Sequence, residues 1–128
     1  MTVLGLGTDL VEIPRLASAM ERHGEPFLAR VFLASERAYC GQQAFPARCY
    51  AARFAAKEAV AKAFATGIGA ELGWLDIEIT RAPSGAPGIV LHGTGAETAR
   101  RLGIGALRLS LSHTEHYATA TVLALGPA

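Results

Sequence analysis

The sequence predicts an α+β fold, an antiparallel sheet packed around one long central helix. Three observations carry this. Residues 46–66 run without an internal Gly or Pro and are rich in Ala, the best helix former. Trp74–Arg81 and Ala106–His113 alternate apolar with polar residues, the period of a half-buried strand. Tyr117–Leu125 is a nearly continuous run of small and branched residues, suited to a strand buried on both faces.

Each element has a local reason. Met1–Leu10 reads as a short buried strand in which Gly5 and Gly7 permit close backbone approach. Pro14 suits a first helical position, and Ile13, Leu16, Ala17 and Met20 repeat at helical spacing, so residues 13–23 form an amphipathic helix that Gly24 and Pro26 break. Phe27–Phe32 reads as a further short helical turn or a loop. Ser35 is the expected N-cap of a helix ending near Gly41.

The central helix opens on Pro46 and stops at Gly67. On a helical wheel Tyr50, Phe54, Val60 and Phe64 form one broad face, and Ala52, Ala55, Ala56, Ala59 and Ala63 a second, nearly smooth one. Beyond it, residues 82–88 make a turn, Ile89–His92 a return strand, and Thr94 an expected cap for a helix reaching Leu102. Thr114-Glu115-His116 joins the last two strands, placing His113 and Thr114 at a strand end.

The 128 residues suit one domain spanning 1–128. With 51% hydrophobic and 18% charged residues, the chain has apolar surface to spare for burial against copies of itself. A net charge of +1 gives no global sign of a nucleic-acid or membrane-surface protein. No apolar run reaches the ~20 residues that span a bilayer, and no basic segment precedes an apolar one at the N-terminus. Cys40 and Cys49 form neither a zinc motif nor a framework, so free thiols in a reducing, cytoplasmic setting are expected.

Charge is informative locally. Asp9 ends an apolar strand, where it can cap the next turn or serve as a metal ligand on a rigid element. Glu58 and Lys62 stand one helical turn apart at the margin of an apolar helix, and Arg53 and Lys57 form a second i,i+4 pair. By spacing, Glu58–Lys62 reads as an ordinary surface pair, and the other reading is a cation-binding carboxylate with Arg53, Lys57 and Lys62 available for phosphates. Arg15, Arg22, His23 and Arg30 make a modest basic patch that can steer an acidic partner.

Three fragments stand out together: Gly5-Leu6-Gly7-Thr8-Asp9-Leu10-Val11-Glu12-Ile13, Arg53-Phe54-Ala55-Ala56-Lys57-Glu58-Ala59 and Leu109-Ser110-Leu111-Ser112-His113-Thr114. In order and spacing the chain resembles the holo-acyl-carrier-protein synthases, the small bacterial-type 4'-phosphopantetheinyl transferases, over essentially its whole length. The resemblance implies magnesium-dependent transfer of the 4'-phosphopantetheine arm of coenzyme A to a serine of apo acyl carrier protein, in support of fatty acid biosynthesis. Adenosine 3',5'-bisphosphate is the expected by-product.

The resemblance also implies roles for residues. Asp9 and Glu58 are the expected Mg2+ ligands. Arg15 and Arg22 are expected to dock the carrier protein, and His113 and Thr114 fall near the coenzyme A site. A homotrimer with sites between subunits is expected. In this reading Lys62, with Lys57 or Arg53, neutralises phosphate charge. Glu58, directly or through water, is the first choice of base, with Asp9 second. The alternative is a non-catalytic oligomeric module that binds coenzyme A or a nucleotide, and a metal-dependent phosphohydrolase using the same site is a weaker third.

Overall fold

The computed structural model describes residues 1–127. The chain runs as β1 (Thr2–Glu12), α1 (Ile13–Val31), α2 (Ala34–Gly41), α3 (Pro46–Phe64), a 3-10 turn (Trp74–Asp76), β2 (Ile77–Arg81), β3 (Pro87–Leu91), α4 (Gly93–Arg101), β4 (Ala106–His113) and β5 (Tyr117–Gly126). Both sheets are antiparallel: a three-stranded one in the order β1-β5-β4, and the β2-β3 hairpin. The α+β class and the central helix are as the sequence predicts.

α3 lies across the inner face of the larger sheet, and most of its residues are buried. The contact is unusually close because the strands offer almost no side chain there. A Cβ built on Gly5 would lie 2.0 Å from the Ala63 carbonyl oxygen, and one on Gly7 1.8 Å from that of Ala59. Ala118, Ala120, Val122 and Ala124 of β5 complete the same surface and are buried. Small residues on helix and strands thus let backbone meet backbone, as the smooth alanine face implies.

The opposite face of that sheet is open. Leu6 and Leu10 of β1 are 62% and 65% exposed and Tyr117 of β5 is 47% exposed. The expectation of a buried first strand, and of a last strand buried on both faces, therefore holds for one face only in the single chain. β5 alternates between buried and more exposed positions along its length.

Other boundaries shift for identifiable reasons. α1 continues past residue 23 to Val31, but with a kink at Gly24, whose φ of 62° and ψ of −149° only glycine adopts readily. Ser35 does not cap α2; its hydroxyl donates to Glu78, and the Leu33 N–H donates to the Glu36 carboxylate instead. α3 ends one turn before Gly67, on Ala65 in the left-handed region. Thr94 likewise does not cap α4, which begins at Gly93. Trp74–Asp76 form a 3-10 turn rather than the start of the strand.

The cysteines are not free. Cys40, at the end of α2, and Cys49, in the first turns of α3, form a disulfide with Cα atoms 5.4 Å apart. The short turn between the two helices folds them back on each other, so a separation of nine residues becomes a close pair. Sequence spacing could not show this, because it depends on the angle between the helices.

Candidate active site

Two clefts border α3, and they share no lining residue. The first, of about 640 Å³, contains Asp9, Glu12, Arg15, Arg22, Phe54, Glu58 and Lys62 in its walls. Asp9 reaches it from the inner face of β1, opposite Ala120, and Glu58 and Lys62 reach it from α3. Close packing of Gly5 and Gly7 on α3 brings these elements together. Arg15 and Arg22 enter from the exposed face of α1.

Lys62 does not pair with Glu58. Its ammonium donates to Asp9 Oδ1 at 3.0 Å and to the Thr8 carbonyl at 2.9 Å. Glu58 is half-buried and, among the described residues, makes no ion pair within 4.0 Å. Burial, and then the neighbouring Asp9 carboxylate, push its carboxyl above the ordinary Glu range, and Lys62 opposes them. A carboxylate pair with this repulsion favours either a proton or a cation between its members. Two oxygen-donor acids from separate elements, open to solvent on one side, suit a hard divalent ion that keeps waters and takes substrate oxygens. The donor set therefore fits Mg2+.

The second cleft, of about 440 Å³, is lined by Tyr39, Phe45, Arg48, Arg53, Arg81, His113 and neighbours, with no acidic residue among them. The Arg53 guanidinium lies 4.8 Å from the centre of the Tyr39 ring and that of Arg81 5.6 Å, while Arg48 stacks on Phe45 at 4.1 Å. Arg81 also hydrogen-bonds the Tyr39 hydroxyl. Aromatic faces hold the guanidinium groups without neutralising them, leaving a cationic concavity suited to phosphate. Arg53, expected at phosphate, and His113, expected near the coenzyme A site, both line this cleft. Arg48, Arg81 and Tyr39 were not singled out from sequence; nothing about their spacing links them before β2 and α2 are placed beside α3.

Lys57, expected at phosphate, and Thr114, expected near the coenzyme A site, line neither cleft. Lys57 is fully buried, and its three N–H groups go to Glu36 at 2.7 Å, the Val31 carbonyl at 2.8 Å and the Trp74 carbonyl at 3.0 Å. Burial pulls its ammonium below the ordinary Lys value, and Glu36 opposes that. Glu36, itself buried, also accepts from the backbone of Leu33 and Ile79. The i,i+4 reading failed because Lys57 lies on the core side of α3, facing an acid 21 residues away. Thr114 closes the β4–β5 turn, accepting from the Tyr117 N–H at 3.2 Å, and lines neither cleft.

The fold agrees with the chain's likenesses to known proteins. Residues 5–122 match the family described as the 4'-phosphopantetheinyl transferase superfamily, and the chain belongs to it. Among its relatives is the holo-[acyl-carrier-protein] synthase of Koribacter versatilis, 46% identical over 121 residues, which are 94% of this chain and 97% of that protein. The synthase of Desulforudis audaxviator is 47% identical over 125 residues, covering 98% and 95% of the two chains. Among solved structures, the Neisseria meningitidis synthase superposes with a TM-score of 0.91 at 31% identity, covering 97% of this chain and 99% of that one. The Helicobacter pylori synthase in complex with coenzyme A superposes with a TM-score of 0.84 at 36% identity, covering 94% and 99%.

Proposed function

We propose that this chain is a holo-acyl-carrier-protein synthase, transferring 4'-phosphopantetheine from coenzyme A to a serine of apo acyl carrier protein. The observation that carries the mechanism is the convergence of Asp9, Glu58 and Lys62 with Arg15 and Arg22 in one cleft. The relatives' names and the coenzyme A complex of the Helicobacter pylori protein agree with it.

In this reading Asp9 and Glu58 hold Mg2+. When bound, the ion offsets the charge of the diphosphate and orients it. The acidic carrier protein approaches along Arg15 and Arg22, which raise its encounter rate at low salt. The serine oxygen attacks the phosphorus bearing the pantetheine arm, and the bond from that phosphorus to the bridging oxygen breaks. Adenosine 3',5'-bisphosphate departs with that oxygen. Glu58 takes the serine proton directly or through water, with Asp9 the second choice. Lys62 holds Asp9 in place and sets a positive charge beside the diphosphate.

Arg53 and His113, with Arg48 and Arg81, hold the nucleotide phosphates of coenzyme A. Arg53 and Glu58 are five residues apart on α3, hence about 140° apart around its axis. A coenzyme A that touches both clefts is then shared between neighbouring copies, the nucleotide on one and the diphosphate on the next. The open sheet face carrying Leu6, Leu10 and Tyr117 supports a homotrimer. None of the helices among the described residues is long and apolar enough to cross a membrane, and a cytoplasmic location fits that.

The deciding experiment is intact-mass spectrometry of apo acyl carrier protein after incubation with the protein, coenzyme A and Mg2+. A gain of one phosphopantetheine is expected. Coenzyme A binding with no mass gain on any carrier protein would return the chain to a non-catalytic binding module.

A further inference from the structure

The disulfide lies at the edge of the cationic cleft, and its two sulfurs are not equivalent. Cys40 is fully buried, whereas Cys49 is half-buried and lines the cleft between Arg48 and Arg53. The link spans the turn whose residues Gln43, Ala44 and Phe45 form one wall of that cleft, with Arg48 stacked on Phe45. Every residue from Gly41 to Phe45 is exposed. The hydrogen bonds holding the turn are short-range: Gln42 N–H to the Tyr39 carbonyl at 3.3 Å, Gln43 N–H to the Cys40 carbonyl at 3.1 Å, and the Gln43 side chain to the Tyr39 carbonyl at 3.2 Å. No burial fixes this wall, so the covalent link is its strongest anchor.

We propose that Cys40–Cys49 is a redox-modifiable site that sets the affinity of the cationic cleft for coenzyme A. A dithiol reductant, small-molecule or protein, attacks Cys49, the accessible sulfur, and the Cys40 thiolate leaves. The second thiol of the reductant then displaces Cys49. Two electrons and two protons pass from the dithiol, which ends as a disulfide, to Cys40 and Cys49, which end as thiols. Released from its tether, the turn carrying Phe45, on which Arg48 of α3 stacks, must be ordered again each time phosphate binds. Oxidised protein is the tight-binding form. Disulfides in reducing compartments are characteristically transient sensors, which suits a pair reachable from one side.

This rests on the assignment of the cleft to coenzyme A, and the two are tested separately. The KM for coenzyme A is measured by carrier-protein mass gain, on protein equilibrated in oxidised glutathione or in the dithiol dithiothreitol and then freed of it, with the thiol state verified by alkylation and intact mass. Reduction is expected to raise KM roughly fivefold with little change in kcat, the cost of ordering one turn of the cleft wall on binding. Cys40→Ala/Cys49→Ala, and Cys49→Ser as a second variant, are expected to hold the reduced value in both buffers. Arg53→Ala raising KM while reduction leaves it unchanged would overturn the redox proposal and keep the cleft. Arg53→Ala leaving KM unchanged would remove coenzyme A from the cleft, and with it the proposal. Free thiols throughout in oxidised glutathione would overturn the redox proposal outright.

Discussion

Glu58 and Lys57 are adjacent in the chain and stand in opposite environments. Glu58 faces the first cleft, where burial and Asp9 raise its pKa above the ordinary value of 4.5. An acid whose folded pKa is raised favours folding while protonated, and that contribution is lost as pH rises through the folded pKa. Metal-free protein in chelator should therefore lose thermal stability as pH climbs from the acid range past that of an ordinary glutamate. Glu58→Gln should unfold at a higher temperature than wild type at neutral pH and at a similar one at acid pH. Mg2+ should restore wild type and leave the variant unmoved, as thermal denaturation with and without the ion would reveal. Transfer activity of Asp9→Ala and Glu58→Ala is expected to fall by roughly two orders of magnitude or more, with their circular dichroism unchanged.

Lys57 faces inward. Replacing it with Met leaves the Glu36 carboxylate in the core without its cation, a loss of about 3–5 kcal/mol. Chemical denaturation of Lys57→Met should show it, or the variant should fail to accumulate as folded protein. A Lys57 that bound phosphate at the surface would instead cost little stability and much affinity for coenzyme A.

At the scale of elements, the junction of β1 with α3 governs the first cleft. Gly7→Ala puts a methyl carbon into the Ala59 carbonyl, so helix and strand must part. Overpacking of this kind costs about 1–3 kcal/mol or more. The variant should also bind Mg2+ more weakly, because Asp9 lies two residues along the strand, and calorimetric titration of the ion would measure that. Much of this junction was legible: the alanine face, the two glycines and the strand-end acid are all local signals. The pairing of Lys62 with Asp9 and the burial of Lys57 were not, because the wheel ranks positions around one helix without saying which neighbour covers each side. Arg48, Arg81 and Tyr39 were hidden for a related reason. They come from α3, β2 and α2, and only the placement of the hairpin beside the helix pair gathers them. The motifs in β1, α3 and β4 were legible because each sits within one element.

For the whole molecule, the apolar surplus of the composition reappears as the open sheet face. A homotrimer predicts about three times the chain mass of 13.4 kDa by light scattering. Leu6→Glu or Leu10→Glu, which place charge on that face, should yield monomers and lose transfer activity together. The basic rim belongs to this scale too. Arg15→Glu/Arg22→Glu is expected to raise KM for the carrier protein by roughly three- to tenfold at low salt, and less at high salt where the attraction is screened. KM for coenzyme A should stay near wild type in that variant.

The missing methyls of Gly5 and Gly7 bear on how such a centre can be altered. Main chain rests on main chain there, so the spacing of the backbones that carry Asp9 and Glu58 is dictated by peptide contact. That spacing would have to be changed by adding carbon to one of two positions in the first strand.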